Sequence, residues 1–240
     1  MLHRVYRNRT EAGRLLGQRL QAEGYADSVA SRPPLVLAIP RGGIEVAVPI
    51  AEAIGAEIDV VLARKLRAPF QPELAIGAVS EDGTVALNPE AAALPGIDDG
   101  YVREERSRQL AEIARRREMY RTVRPAAAVA GRTVILTDDG IATGATMIAA
   151  IRTARAAGAR EVVVAVPVAA PERLAVIEPL CDRLLCLQSP ADFTAVGQFY
   201  REFPQVEDAR VAKLLAGRCP RSETGGRDGG ADDPGKRAPS

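Results

Sequence analysis

The sequence has almost no excess charge of either sign and very few histidines or cysteines. Its 32 lysines and arginines and 31 acidic residues leave a net charge of +1. No global field therefore attracts nucleic acid or an anionic membrane, so any anion site has to be local. Three cysteines match no zinc or redox spacing and are too few for a disulfide scaffold, which favours a reducing, intracellular setting. The single histidine, His3, argues against a Ser-His-Asp hydrolase or a histidine-based metal centre.

Long apolar runs are also missing. No run approaches a membrane span, and the first ten residues lack the apolar region of a signal peptide, so we expect a cytoplasmic protein. The composition, 47% hydrophobic and 26% charged over 240 residues, is typical of an ordinary globular domain. We predict one domain over residues 1–216. A disordered tail is expected over 217–240, because that stretch is rich in Gly, Pro and small polar residues and has little to bury.

Short apolar runs alternate with helix-like stretches along the domain, which predicts an α/β fold with right-handed crossovers. The runs lack polar alternation, as expected for strands covered on both faces. Residues 76–87, with Glu81-Asp82-Gly83 at the centre, predict an inserted β-hairpin, and residues 101–124 predict a long, charged, exposed helix. The predicted strands are 35–39, 58–63, 133–137, 162–166 and 184–187, and the predicted helices between them are 45–54, 146–157 and 171–180.

The most informative segment follows the third predicted strand. Asp138 and Asp139 stand at the carboxyl end of that strand, where open α/β sheets bind ligands, and two carboxylates there can accept hydrogen bonds from a vicinal diol. The residues after them have small side chains or hydroxyls and lead into a helix, so amide and hydroxyl donors converge on one anion beside the helix N-terminus. The segment therefore predicts a ribose 5-phosphate site; the alternative is an Asp-rich turn that only caps a helix. The predicted phosphate-binding residues are Ala142, Thr143, Gly144, Ala145 and Thr146.

A second candidate anion site follows the first predicted strand. Pro40 and Arg41 precede Gly42 and Gly43 at the start of a helix. Glycines let the backbone approach a ligand, and the guanidinium offers a forked cation. The alternative is a tight strand-to-helix turn that needs glycine anyway.

Residues 133–146 resemble the phosphoribosyl-diphosphate (PRPP) loop of the type I phosphoribosyltransferases. That loop has an apolar strand, two acids, two variable residues, a small residue, Thr-Gly, any residue and Thr, and this sequence matches at every position. The resemblance implies a doubly wound, mainly parallel sheet flanked by helices, with a small C-terminal hood. It also implies transfer of ribose 5-phosphate from PRPP to a nitrogenous base with release of pyrophosphate. The implied catalytic residues are Asp138, Asp139, Arg41 and Lys65.

The resemblance further implies how the other substrate groups and the metal are held. Mg²⁺ would bind mainly through PRPP, with Asp138 and Asp139 as its candidate protein ligands. Pyrophosphate would bind the loop after the first strand, with a cis peptide at or beside Pro40–Arg41. Basic residues of a mobile loop after the second strand would join it, although three close cations are often only a solvated turn; Glu73 in that loop is given no role. The pyrophosphate residues are Arg41, Gly42, Gly43, Lys65 and Arg67.

Aromatic residues are scarce, four Phe and five Tyr, yet several lie between 193 and 203. The stretch resembles the base-contacting hood segment of hypoxanthine-type members, which implies base stacking by Phe193 above all, and by Phe199 and Tyr200. The alternative is a C-terminal segment that anchors itself to the domain.

Two questions stay open at the level of sequence. A purine-like acceptor is slightly favoured, but Pro40–Gly43 together with residues 72–78 resembles a branch of the family whose acceptor is not assigned. The alternative function is a non-catalytic module that senses PRPP or a nucleotide with the same site. A third interpretation is another sugar-phosphate enzyme on a similar sheet. We expect no nucleic-acid or membrane partner; the oligomeric state stays open, with a homodimer as one alternative.

Overall fold

The computed structural model of the chain describes residues 3–27, 32–71, 74–88 and 93–217. Within these ranges the chain forms a central sheet flanked by helices and a second, smaller sheet. The strands are β1 (Leu35–Ala38), β2 (Glu57–Val60), β3 (Ala63–Arg67), β4 (Ala75–Ser80), β5 (Val85–Leu87), β6 (Thr133–Thr137), β7 (Glu161–Val168) and β8 (Arg183–Gln188). The helices are α1 (Arg9–Ala22), α2 (Gly43–Ile54), α3 (Asp99–Val123), α4 (Ala145–Ala156), α5 (Pro171–Ile177) and α6 (Asp208–Ala216).

The central sheet has the order β2-β1-β6-β7-β8, and all of its strand pairs are parallel. Both of its faces are covered. Val36 and Ala38 of β1 pack in one apolar cluster with α1, α2 and α3, whereas Leu35 and Leu37 pack in another with α4 and α5. Burial on both faces explains why the strands lack polar alternation, and the predicted doubly wound α/β fold is confirmed.

The predicted hairpin is β4 and β5, whose residues pair antiparallel around the turn at Gly83. The prediction that Lys65 and Arg67 lie in a mobile loop is wrong, because both belong to β3, which pairs antiparallel with β4. Lys65 stands opposite Ala78 in this ladder. The two residues are therefore held by backbone hydrogen bonds rather than by an irregular segment.

Two helices were not predicted from the sequence. α1 begins after Asn8, whose side-chain oxygen accepts a hydrogen bond from the Glu11 N–H at 3.1 Å. This is the Asn-x-x-Glu pattern of a helix start, which was the missed signal. α1 buries Leu16 and Leu20 against α2. The other unpredicted helix, α6, buries Val211 and Leu215 in the same cluster.

The C-terminal hood covers residues 189–207 and is tied to the N-terminal residues. The N–H of Tyr6 donates to the Phe199 carbonyl at 2.8 Å, and the N–H of Arg201 donates to the Tyr6 carbonyl at 2.9 Å. His3 Nε2 lies 2.6 Å from Asp192 Oδ1. The N-terminal residues and the hood are therefore joined by both main-chain and side-chain contacts.

Part of the predicted domain organisation falls outside the described residues. Glu73 and residues 218–240, nearly all of the predicted tail, lie outside the described residues. The domain boundary at 216 accordingly stays a prediction. Among the described residues, no helix is long and apolar enough to cross a membrane.

Candidate active site

The site lies where the strand order of the central sheet reverses. β1 runs through α2 to β2 on one side, while its other neighbour, β6, continues to β7 and β8 on the opposite side. The loops that leave β1 and β6 therefore diverge and open a crevice at the carboxyl edge of the sheet. Both predicted anion-binding segments, 40–43 and 138–146, lie at this point.

A cavity of about 160 Å³ opens beside the acid pair. It brings together Lys65 from the small sheet and the loop after β6 from the central sheet. The predicted site residues that line it are Lys65, Asp138, Asp139, Ala142, Thr143, Gly144 and Thr146. Gly140, Ile141, Met147 and Val196 also line it and were not predicted. Val196 comes from the hood, so the cavity is closed partly by the C-terminal segment.

The two carboxylates are held at the sheet edge by short contacts. The Asp139 N–H donates to Asp138 Oδ1 at 2.8 Å. Gly42 lies directly against the Asp139 carboxylate, and Gly43 lies against the Thr137 carbonyl and the Asp138 Cα, so that a Cβ at Gly42 would overlap the carboxylate and a Cβ at Gly43 would overlap the Thr137 carbonyl oxygen. The paired glycines are needed for this close approach, which places the loops after β1 and β6 in contact.

Burial and charge act together on the acid pair. Burial raises the pKa of the Asp138 carboxyl well above its ordinary value, and the neighbouring Asp139 raises it further, against smaller opposing effects from the Asp139 N–H, Lys65 and Arg9. Burial also raises the pKa of the Asp139 carboxyl, while Arg9 lowers it through its charge and a hydrogen bond. The pair is costly to ionise here and suited to receive polar, cationic or hydroxylic groups.

The phosphate-loop prediction concerns the start of α4. Gly144 adopts φ +79° and is the N-cap of α4, and its carbonyl accepts the Ile148 N–H at 2.9 Å. The positive φ explains the glycine, because residues with a side chain rarely adopt it. Ala145, the first helical residue, packs toward Ala149 and does not line the cavity, unlike Thr143 and Thr146. A helix start also presents backbone N–H groups that have no intrahelical partner, and it carries the positive end of the helix dipole. Both lie beside these hydroxyls.

The predicted pyrophosphate residues do not all reach the cavity. The peptide bond between Pro40 and Arg41 is cis, as predicted. The Arg41 side chain forms a 3.5 Å ion pair with Glu207 and, like Arg67, does not line the cavity. The backbone of Arg67 is engaged by α3, since its N–H donates to Glu105 at 3.1 Å and its carbonyl accepts the Tyr101 hydroxyl at 2.6 Å.

Comparisons with known proteins agree with this geometry. The model of the phosphoribosyl transferase domain matches residues 9–203. The chain belongs to the phosphoribosyltransferase family. It is 41% identical over 233 residues to the Mycobacterium tuberculosis H37Rv protein named "Putative phosphoribosyl transferase Rv0571c", covering 96% of this chain and 51% of that protein, and equally to its counterpart MT0597 from strain CDC 1551.

A solved structure resembles this chain over most of its length. The protein TT1426 from Thermus thermophilus is 43% identical and superposes with a TM-score of 0.74, covering 90% of this chain and 99% of that one. The chain spans about half the length of the curated relatives that it matches.

Two of the four aromatic residues of the hood are buried, whereas Phe203 is 37% exposed. Phe199 and Tyr200 are 1% and 6% exposed, and Phe199 packs against Phe193 with ring centroids 5.5 Å apart. The Tyr200 hydroxyl donates to the Asp139 carbonyl at 2.6 Å. Base stacking by these residues stays a prediction; the burial of Phe199 and Tyr200 agrees instead with the anchoring alternative, because neither ring offers an open face. Phe193 is half-buried.

Sequence reasoning also missed Arg9, the first residue of α1. Its Nε donates to Asp139 Oδ2 at 2.7 Å, although 130 residues separate them in the chain. The Asn-x-x-Glu helix start at Asn8 would have predicted α1, but no local pattern indicates which carboxylate its first residue meets.

Proposed function

We propose that the chain is a PRPP-dependent phosphoribosyltransferase that transfers ribose 5-phosphate to a nitrogenous base, with a purine-like acceptor favoured, and releases pyrophosphate. One observation carries this proposal: the acid pair, Lys65 and the Thr-Gly loop line a single cavity at the switch point of the sheet. Each part of a phosphorylated pentose with a polyanionic leaving group has a chemical counterpart there. The family match supports the reaction class.

The loop after β6 would hold the sugar phosphate. The hydroxyls of Thr143 and Thr146 and the amides at the start of α4 would receive the 5′-phosphate, together with the flanking Ala142, Gly144 and Ala145 backbone. The helix dipole contributes about 0.3–1 kcal/mol to such an anion, in addition to its hydrogen bonds. The ribose would then extend toward the acid pair, which lines the same cavity.

The acid pair and the cations would share the charge that develops. As the bond from the anomeric carbon to pyrophosphate breaks and the bond to the base nitrogen forms, the ribose ring becomes cation-like. Asp138 and Asp139 would hold its hydroxyls and favour the positive ring. Lys65 would receive the leaving pyrophosphate together with the Gly42 and Gly43 amides. Arg41 and Arg67 would reach it after their side chains move.

The residues present fit a Mg²⁺ ion that is held mainly by substrate. Among the described residues there is no cluster of three or more His, Cys, Asp or Glu side chains that could hold a metal, so a protein cage is not offered there. Two adjacent carboxylates are nevertheless hard oxygen donors at the cavity wall. This donor set suits a largely hydrated ion bound through phosphates, and such an ion would neutralise pyrophosphate charge.

The test is base-dependent pyrophosphate release from PRPP and Mg²⁺, measured over a panel of purine and pyrimidine bases. We expect turnover with a purine-like base and a loss of about a hundredfold in kcat for Asp139→Asn, typical of removing one preorganised electrostatic contact. Asp99→Asn, at an exposed position in the first turn of α3, is the matched control and should be unaffected. Binding of PRPP without turnover on any base would favour the sensing module instead. No binding would overturn the proposal.

A further inference from the structure

We propose that Arg9 is a positioning residue that orients the Asp139 carboxylate for phosphoribosyl transfer. The inference rests on the proposed function for its kinetic consequences, and on contacts within the chain for the pairing itself. Arg9 touches Asp139 but does not line the cavity. Any effect on the reaction therefore passes through the acid.

The Arg9 guanidinium is fixed from three sides. Its Nε donates to Asp139 Oδ2 at 2.7 Å, and its Nη1 donates to the Pro204 carbonyl at 2.8 Å. Its plane lies over the Phe203 ring, with the guanidinium carbon 3.7 Å from the centroid. The Arg9 and Asp139 side chains are only 6% and 16% exposed. The planar fork thus has little freedom to turn away from the carboxylate.

The main chain that carries Arg9 is also fixed. Gly13 and Gly17 lie on the face of α1 that meets α2, and a Cβ at Gly13 would overlap the Val46 carbonyl and Pro49. The close packing of these two helices therefore fixes the position of the first turn of α1 relative to α2. Gly42, at the start of α2, leaves room for the Arg9–Asp139 pair, since a Cβ there would meet both partners.

Asp139 is held a second time by the hood. The Tyr200 hydroxyl donates to its backbone carbonyl, and the Tyr200 ring stacks on Phe203 at a centroid distance of 5.0 Å. Phe203 thus contacts both Arg9 and Tyr200, and we call these three residues the Arg9 clamp. With its carbonyl and Oδ2 both bound to the clamp, the direction of the remaining carboxylate oxygen, Oδ1, is determined as well.

Stability alone is a weak reason for this arrangement. The attraction within a buried ion pair often does no more than offset the free energy lost when both charges leave water, and well-packed apolar residues often stabilise as much or more. A bound, oriented carboxylate is useful to a reaction in which charge develops at a defined point, because a small misplacement lowers the rate strongly. We therefore assign the pair to orientation of Asp139.

The test is a kinetic double-mutant cycle with Arg9→Met, Asp139→Asn and the double variant. We expect Arg9→Met to lower kcat by about 10- to 100-fold, with a smaller change in the KM for PRPP. In the Asp139→Asn background the same change should lower kcat less than about threefold, because the group it orients is already altered. If Arg9→Met lowers kcat by the same factor in both backgrounds, or leaves kcat unchanged in the wild-type background, the inference is overturned.

Two further variants provide a charge-preserving substitution at Arg9 and a surface control. Arg9→Lys keeps the charge without the fork and should show an intermediate kcat; it replaces Arg9→Met in the cycle if that variant does not fold. Arg7→Met is the matched control, because the Arg7 side chain is 74% exposed and its ion pair with Glu202, at 3.5 Å, lies on the surface. Its kcat and KM should equal those of the wild type.

Melting temperatures of the wild type and the three variants of the cycle separate this inference from the proposed function. If the wild type shows no turnover with any base, the proposed function fails, and the Arg9–Asp139 pairing is still tested by stability. A buried carboxylate left without Arg9 is costly, so the drop in melting temperature of the double variant should be smaller than the sum of the single drops. Additive drops would overturn the pairing whatever the kinetics.

Discussion

Asp138 illustrates how a single residue serves the site at the expense of stability. Its carboxyl is buried beside a second acid, and both features raise its pKa above the ordinary 3.8. A carboxyl whose pKa is higher in the folded than in the unfolded chain stabilises the fold less as the pH rises from that ordinary value through the folded pKa. At neutral pH the folded chain therefore carries an ionisation penalty.

Replacing Asp138 by Asn should remove that penalty. We expect Asp138→Asn to raise the stability at pH 7 by about 1 kcal/mol, or roughly 2–4 °C, while it lowers turnover. The Asn oxygen can still accept the Asp139 N–H. Melting curves from pH 4 to pH 8 check the sign, because the advantage of the variant over wild type should grow with pH. An advantage that is largest at pH 4 would contradict this account.

Thr137, one residue earlier, is a second buried polar side chain that lowers the stability of the fold. Its hydroxyl is buried and finds no hydrogen-bond partner within the described ranges. Valine has nearly the same shape and loses no partner, so Thr137→Val should stabilise the fold by about 1 kcal/mol. Urea unfolding measures this directly, and Thr133→Val is a control in the same strand. Thr133 Oγ1 donates to Glu161 at 2.8 Å, so its replacement should destabilise.

At the scale of elements, the packing of α1 on α2 links the N-terminus to the acid pair. A Cβ at Gly13 would overlap the α2 backbone, which cannot move aside without shifting Gly42 and Gly43 at its start. Gly13→Ala should therefore cost roughly 1–3 kcal/mol by overpacking and should also lower kcat. Among the described residues, the new Cβ of Gly217→Ala would meet only the Lys213 and Leu214 carbonyls, the nearer at an ordinary 3.6 Å, so that variant should resemble wild type in urea unfolding and in turnover. Equal stability of the two variants would contradict the tight helix contact.

The elements of the central sheet were predictable because each signal is local. Residues 133–137 form one continuous apolar run and are a strand with those bounds. β3 in the smaller sheet was not predictable, because Arg64-Lys65-Leu66-Arg67 is typical of a polar turn and becomes a strand only by pairing with β4. The acid pair and Thr-Gly loop follow from spacing, whereas the Arg9 contact depends on how α1 packs after folding. Local chemistry predicts which groups a loop offers; long-range packing decides what holds them.

At the scale of the whole molecule, the cavity is assembled from parts that are distant in the chain. Lys65 comes from the small sheet, the acid pair from the central sheet and Val196 from the hood. The hood is in turn tied to the N-terminal residues by the Tyr6 backbone hydrogen bonds. A ligand that spans the cavity would bridge all three units, so its binding should raise the melting temperature of the entire domain in one transition.

The magnitude follows from mass action. PRPP with Mg²⁺ at a hundred times its dissociation constant should add about 2.7 kcal/mol of stability, roughly 5–11 °C for a domain of this size. Mg²⁺-pyrophosphate alone engages only the cationic side and should give a smaller shift at the same concentration. In the proposed site, nucleoside monophosphates would occupy the phosphate loop and the hood side together, so the base that gives the largest shift would identify the acceptor. A shift with pyrophosphate as large as that with PRPP would contradict a pentose site at the acid pair, because the sugar would then contribute nothing to binding.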